Sequence, residues 1–292
     1  MRQGDLATRK SYGNDIIFRI QEIDTTRAIL RGVDFRLLAD APISDLSRVT
    51  AARDSDFPRV NLPRVGETIR SIRQFRQELY QLNDHLVRNK LPENTQYFEM
   101  PGKILHLDGD PNYLRKSMNL YGELRIPAEG FYVNESQMAA TLQRLLPQVK
   151  PDIVVVTGHD GLLKNRKKLD VHQLDSYKNS LHFVRAVQVA RQYQNNRDAL
   201  TIVAGACQSH FEALLQAGAN FASSPARVLI HALDPLCIAA KASYTSIRET
   251  VSMADLAGVT VTGLDGVGGI ETRGSYRLGV PRLVNLTAEA TI

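Results

Sequence analysis

The pattern of apolar positions changes twice along the chain and divides it into three regions. In the first, short apolar runs cover Leu6–Arg9 and residues 16–23, 28–31 and 35–38, with turn signals at Tyr12, Gly13 and Asn14 and at Arg31 and Gly32. Four short strands so spaced predict a small SH3-like β-barrel over residues 1–40, a module that more often binds or docks than carries chemistry. Tyr12, Phe18 and Phe35 serve either a peptide groove or the barrel core, and core packing is the favoured use. The second region, 41–96, opens as a polar, arginine-containing stretch broken by Pro42, Pro58 and Pro63, which reads as a linker. Ile69, Ile72, Phe75, Leu79, Leu82 and Leu86 then recur at helical spacing and predict one amphipathic helix over 67–88, ended before Pro92. Its arginines form a solvated face or meet an acidic partner.

From residue 97 to 292 the pattern is α/β. An apolar run at 103–107 ends in Asp108-Gly109-Asp110, residues 130–133 form a second strand candidate, and 138–146 reads as a helix. Pro151 precedes Ile153-Val154-Val155-Val156, which breaks at Thr157-Gly158-His159-Asp160-Gly161, and a basic loop with Lys164, Arg166, Lys167 and Lys168 follows. A helix over 177–194 places Leu181, Val184, Val187 and Ala190 on one face. The run 200–204 breaks at Gly205-Ala206-Cys207-Gln208-Ser209-His210, and a helix over 209–217 is stopped by Gly218. Strand, helix and strand in this order predict right-handed parallel βαβ units, and runs without alternation fit strands buried on both faces. Sites in such sheets form beyond the carboxyl ends of the strands. His159 and Cys207 each lie just past such an end, 48 residues apart.

That placement permits nucleophilic catalysis. A cysteine attacks as its thiolate, and a free thiol titrates at about 8.5. A position at the N-terminus of the 209–217 helix would favour the thiolate, and an imidazole can take the thiol proton and return it to a leaving amine. Gly205 and Ala206 leave room for substrate backbone, and the amides of Cys207 and of Asp160 or Gly161 are candidates for an oxyanion hole. The ordinary alternatives are a small buried cysteine and a solvated loop histidine. His210, on the same helical face as Cys207, competes as the base, but a strand-end loop aims His159 better across at the sulfur. Zinc held by His159, Cys207 and His210 is disfavoured by the absence of a paired C-x-x-C.

Asp108-Gly109-Asp110 does not fit the D-x-D-G-T nucleophile motif of haloacid-dehalogenase-type phosphatases, because His106 stands at the nucleophile position and Pro111 replaces the threonine. Asp108 and Asp110 better suit a carboxylate in a substrate pocket, or a cap for the following helix. Gly266-Val267-Gly268-Gly269 lacks G-x-G-x-x-G spacing, and Cys237 sits in an apolar stretch that reads as core.

Composition narrows the classes further. With 43% hydrophobic and 23% charged residues, the 292-residue, 32.5 kDa chain can bury a core. Its mean hydropathy is -0.23, and no run approaches the ~18 apolar residues of a membrane span. The first ten residues show no secretory apolar segment. Two cysteines cannot build a disulfide framework, so a reducing compartment is expected. A net charge of +5 and a pI near 9.2 permit acidic partners without requiring nucleic acid.

Several longer blocks carry a resemblance. They are Met100-Pro101-Gly102-Lys103, Leu107-Asp108-Gly109-Asp110, Val156-Thr157-Gly158-His159-Asp160 and Ala204-Gly205-Ala206-Cys207-Gln208-Ser209-His210-Phe211-Glu212. Further along come Ala217-Gly218-Ala219-Asn220-Phe221-Ala222-Ser223-Ser224-Pro225, Ile230-His231-Ala232-Leu233-Asp234-Pro235 and Gly268-Gly269-Ile270-Glu271-Thr272-Arg273-Gly274. Together with Gly4-Asp5, Arg9-Lys10-Ser11-Tyr12 and Asp15-Ile16 near the start, they resemble the YabG family of sporulation-specific cysteine peptidases over nearly the whole chain except 41–95.

The resemblance implies a mother-cell enzyme that trims spore-coat and other sporulation precursor proteins, commonly after arginine, with Cys207 as nucleophile and His159 as its histidine. The spacing also resembles caspase-like peptidases, which implies a caspase-like, mostly parallel sheet flanked by helices over 97–292. Two departures from the caspase-like pattern bear on the oxyanion amides: Asp160 intervenes before Gly161, and Ser209 follows Gln208 where glycine is usual. Arginine specificity requires a pocket carboxylate, for which Asp108 and Asp110 lead and Asp234 follows. Arg48, Arg53, Arg59 and Arg64, with the 164–168 loop, are candidate sites of self-cleavage.

Such chemistry calls for no metal or organic cofactor, and the expected partners are protein substrates rather than nucleic acid or membrane. A non-catalytic coat-assembly protein is the alternative. A glutamine-amidotransferase-like hydrolase would have to use His231, the only histidine after His210.

Overall fold

The N-terminal strands of the computed structural model form one antiparallel sheet. They are β1 (Leu6–Arg9), β2 (Phe18–Ile23), β3 (Arg27–Gly32), β4 (Leu38–Pro42) and β5 (Leu46–Arg48), in the order β4-β3-β2-β1-β5. The structure describes residues 1–49, 62–90, 96–163 and 170–280, so Arg53, Pro58 and Arg59 of the expected linker, Pro92, and the basic loop with Lys164, Arg166, Lys167 and Lys168 lie outside the described residues. Alternation along the strands turns Ala7, Phe18, Ile20, Ala28, Leu30, Ala41 and Leu46 into one apolar cluster.

Two expectations change here. The sheet runs on to Arg48, because β5 pairs with β1. Residues 35–37 of the expected last strand lie outside it, and only Leu38 belongs to it, as the first residue of β4. The chain leaves the sheet after Gly32 and returns at Leu38, and Phe35 and Leu37 instead form bridges to His231 and Asp160 of the α/β region. Of the three aromatics, Phe18 is core, whereas Tyr12 is 49% exposed beneath the Arg9 guanidinium.

Helix α1 (Leu62–Lys90) extends beyond the expected 67–88. Ile72 and Val87 are buried, and Phe75 and Leu79 also pack inward, but Leu82 is 51% exposed. Arg73 pairs with Glu123 at the surface, and Arg88 with Asp84 one turn back.

After β6 (Phe98–Met100) come β7 (Ile104–Asp108), α2 (Pro111–Glu123), β8 (Ala128–Tyr132), α3 (Met138–Val149), β9 (Ile153–Thr157), α4 (Ser180–Tyr193), β10 (Thr201–Ala204), α5 (Phe211–Ala217) and β11 (Phe221–Ser223). The chain continues through α6 (Asp234–Tyr244), β12 (Thr250–Val251), α7 (Met253–Val259), α8 (Gly263–Gly266), β13 (Val267–Gly269), β14 (Thr272–Arg273) and β15 (Arg277–Gly279). Strands β12 with β14 and β6 with β15 form two small ribbons.

The main sheet has the order β13-β11-β10-β9-β7-β8, parallel throughout except for β13. Its strands lack alternation because helices cover both faces. Ile104, Ile153, Val155 and Val203 join a cluster with α1, α6 and α7, while Leu105, Leu107, Val154, Val156, Ile202 and Ala204 pack against α3, α4 and α5.

The chain steps from β7 out to β8 and then back past β7 to β9. The direction of winding thus reverses between β7 and β9, the place where open α/β sheets form their sites. Register keeps the strand ends level: Asp108 lies opposite Thr157, and Val156 opposite Ala204.

Leu105 is fully buried at the centre of this sheet. Leu105→Ala is expected to lower stability by ~2–5 kcal/mol, read as a reduced denaturant midpoint with unchanged slope.

Candidate functional site

Just past β10 the chain makes a tight turn. Ser209 N–H donates to Ala206 O at 3.3 Å, Ala206 N–H to Ser209 Oγ at 2.9 Å, and Gln208 adopts a φ of 56°. A non-glycine residue held there beside Cys207 is the kind of local strain that surrounding structure must impose. Gly205 has φ 109°, and a Cβ on it would lie 2.9 Å from Leu214 Cδ1. Backbone conformation and packing explain this glycine, rather than open space for a substrate.

Helix α5 begins at Phe211, because His210 caps it by accepting Ala213 N–H at 3.3 Å. Cys207 therefore precedes the helix and receives no stabilisation as its first residue. Its Sγ accepts Ile230 N–H at 3.2 Å and donates to Ile230 O at 3.5 Å. Burial pushes the thiol up to about 12, the reverse of the expected lowering; the Ile230 N–H only partly offsets it.

His159 follows β9 and is completely buried, with its ring stacked on Tyr113 at 5.4 Å between centroids. Its Nε2 lies 3.9 Å from the Asp110 carboxylate, and neither ring nitrogen makes a hydrogen bond of normal geometry. In this arrangement the imidazole is not hydrogen-bonded to Cys207. Burial, reinforced by Arg31 and Arg36, lowers His159 to about 3, so the ring is neutral.

The His159 loop is held through its backbone. His159 N–H donates to Glu135 Oε1 at 3.0 Å, and Asn179 Nδ2 donates to His159 O at 2.7 Å. Glu135 is wedged against Gly158, where a Cβ would come within 2.6 Å of its Oε1. The Asp160 carboxylate accepts from Ser180 Oγ at 2.5 Å and from Ser209 Oγ at 3.0 Å, so it joins the His159 loop, the start of α4 and the Cys207 turn.

The amides of Cys207 and Asp160 converge on one acceptor: each donates to Arg36 O at 3.2 Å. The Gly161 amide goes elsewhere, to Asp160 Oδ1 at 2.8 Å. The guanidinium of the same Arg36 forks onto Asp108, with Nη1 to Oδ1 at 3.1 Å and Nη2 to Oδ2 at 2.9 Å. Arg36 Nε and Nη2 also reach Ala232 O at 3.0 and 2.8 Å, and the Tyr113 ring lies 4.9 Å from the guanidinium carbon. Both charged side chains are wholly buried. Burial alone would raise the Asp108 carboxyl, but Arg36 and His106 outweigh it and hold it at about 2.

The other candidate residues have different employment. Asp110 caps α2, accepting Asn112 and Tyr113 N–H at 2.8 and 3.1 Å. Asp234 accepts Val261 N–H at 2.7 Å, Thr262 N–H at 3.3 Å and the Thr262 hydroxyl, so it organises that turn instead of meeting Arg36. The second His210 ring nitrogen lies 3.0 Å from His172 O, which leaves His210 neither a partner for Sγ nor a zinc ligand beside it. His231 Nδ1 accepts Leu233 N–H at 3.3 Å. Cys237 is buried in α6. No group of acidic, histidine or cysteine side chains able to hold a metal occurs among the described residues.

Sequence reasoning missed Arg36, Tyr113, Glu135 and the backbone of Ile230 and Ala232. Arg36 carried no signal because it lies in the N-terminal region, far from the strand-end motifs.

Neutral, buried His159 makes stability depend on pH. Its native value near 3 lies below the ordinary 6.5, so the unfolded chain binds a proton first as pH falls. This contribution is present above 6.5 and is lost toward pH 3, at about 1.4 kcal/mol per pH unit within the window. Asp108 acts lower, its contribution being lost as pH falls from 3.8 toward about 2. Denaturant midpoints at pH 7, 6 and 5 are expected to decline in the native chain and to decline less in His159→Phe.

Comparison with known proteins agrees with the motif blocks. The family model described as YabG peptidase U57 matches residues 2–281. The sporulation-specific protease YabG of Bacillus subtilis (strain 168) is 43% identical over 285 residues, covering 95% of this chain and 97% of that protein. No solved structure matches. A match over nearly the full length of both proteins settles descent: the chain belongs to the YabG peptidase family.

Proposed function

We propose that this sporulation protease is a caspase-like cysteine endopeptidase that cuts after arginine. The observation that carries the reading is the treatment of Arg36: two amides meet its carbonyl beside a cysteine sulfur, while a buried carboxylate forks onto its guanidinium. Two backbone donors converging on one carbonyl form the geometry of an oxyanion hole. A planar fork paired with a carboxylate is the chemistry of arginine selection, which assigns Asp108 to the pocket.

In this reading the Cys207 thiol gives its proton to His159, and the thiolate attacks the carbonyl carbon of a substrate arginine. The Cys207 and Asp160 amides stabilise the oxyanion. The peptide C–N bond breaks, His159 delivers the proton to the leaving amine, and a thioester remains on Cys207. Water, deprotonated by His159, then releases the acid and restores the thiol. The substrates are sporulation proteins, spore-coat precursors among them, met in the mother cell. Arg48 and Arg64, both exposed, are candidates for self-cleavage, and N-terminal sequencing of stored protein reads fragments that begin after either.

Cys207→Ala and His159→Ala are each expected to reduce cleavage of an arginine reporter peptide by at least about a thousandfold. Asp108→Asn is expected to reduce the preference for arginine over alanine reporters by about a hundredfold, and Asp110→Asn to preserve it, because its side chain caps α2. An unchanged preference in Asp108→Asn would falsify the pocket assignment.

A further inference from the structure

We infer that residues 34–37 are a built-in substrate mimic, with Arg36 occupying the place of the residue at which a substrate is cut, and that the enzyme stays latent until this segment leaves the cleft. The inference rests on the peptidase reading above and concerns its regulation.

The segment binds as an extended peptide. Arg36 N–H donates to Ile230 O at 3.4 Å, Ala232 N–H donates to Asp34 O at 3.1 Å, and Phe35 bridges antiparallel to His231 between them. This is recognition by strand addition, in which backbone bonds hold the peptide and a side-chain pocket selects it. Beyond Arg36, Leu38 N–H donates to Asp160 O at 2.7 Å, and Leu37 bridges in parallel to Asp160. Tyr113 Oη donates to Gly32 O at 2.6 Å and to Phe35 O at 3.2 Å. Chain on both sides of Arg36 is thus fixed in the cleft. Leu38 O lies so close to Gly161 that a Cβ there would approach it to 2.3 Å.

With the segment in place, Cys207 and His159 are both fully buried. The sulfur is held by the Ile230 backbone, and the imidazole stacks on Tyr113 without bonding the sulfur. The occupied cleft therefore lacks an assembled nucleophile–base pair, which is why the bound arginine acts as an inhibitor. Burial also pushes the thiol up and the imidazole down, and exposure to water relieves both shifts.

The segment joins β3 to β4, whose sheet has its own apolar cluster and can keep its strands when the loop withdraws. Outside the cleft, polar ties help to hold that sheet down: Arg31 Nη1 donates to Gly109 O at 2.8 Å, and Lys178 Nζ meets Asp40 Oδ1 at 3.2 Å.

The test is the rate at which a thiol-reactive peptidyl-arginine ketone labels Cys207 in the full chain, followed by intact mass, with Cys207→Ala as the unlabelled control. Arg36→Lys keeps the buried positive charge but cannot form the fork, and should label about tenfold faster than the native chain or more. Melting curves check that the variant is folded. Should Arg36→Lys not fold, the double variant Arg31→Ala with Lys178→Ala, which loosens the docked sheet without touching Arg36, carries the same test with the same expected acceleration. Labelling of the folded variant at the native rate overturns latency while leaving the peptidase reading intact. No labelling of Cys207 in any folded form, with no cleavage of arginine reporters, overturns both.

Discussion

The buried ion pair between Arg36 and Asp108 governs the arrangement of everything near it. Two charges removed from water are costly unless geometry and extra hydrogen bonds compensate them. Here the guanidinium meets both carboxylate oxygens and Ala232 O, while Asp108 Oδ1 also receives Asp110 N–H at 2.9 Å. Losing one member of such a pair costs ~3–5 kcal/mol, because the other charge stays buried and unpaired. The pair therefore sets the register of the loop between β3 and β4. With the side chain anchored at the end of β7, it is the carbonyl of Arg36, and no neighbouring one, that faces the amides of Cys207 and Asp160.

Two other buried carboxylates build the frame around this anchor. Glu135 lies against Gly109 and Gly158 and takes the amide of His159, which ties the loop after β8 to those after β7 and β9. Asp160 performs the same service between β9, α4 and the turn after β10 through the hydroxyls of Ser180 and Ser209. Burial raises both carboxyls, and the hydrogen bonds they accept work against that rise. Loops at the carboxyl ends of four strands, β7 to β10, are thereby locked to one another, so the backbone amides among them are held in fixed directions.

Occlusion couples geometry to charge. The loop that fills the cleft also creates the dry surroundings in which Cys207 stays a thiol and His159 an uncharged ring. Displacing that one loop changes access to the sulfur and the protonation balance of the pair together.

The amino-acid sequence by itself determined the parallel sheet, since the runs at Ile153–Thr157 and Thr201–Ala204 are apolar without alternation and only a sheet covered on both faces accommodates them. It also placed His159, Cys207 and Asp108 at strand ends, because glycine-containing breaks follow each run, and its motif blocks carried the family. Tertiary structure alone decided the rest. That residues 35–37 leave the N-terminal sheet is invisible locally: their pattern suits a strand, and only the partners offered by Ile230, Ala232 and Asp160 draw them away. That Asp108, and not Asp110 or Asp234, meets the Arg36 guanidinium depended on which carboxylates the helix α2 cap and the Thr262 turn had already claimed. The shift of the Cys207 thiol reversed because desolvation is a property of the assembled fold, summed over segments distant in the chain, whereas the sequence shows only neighbours along it.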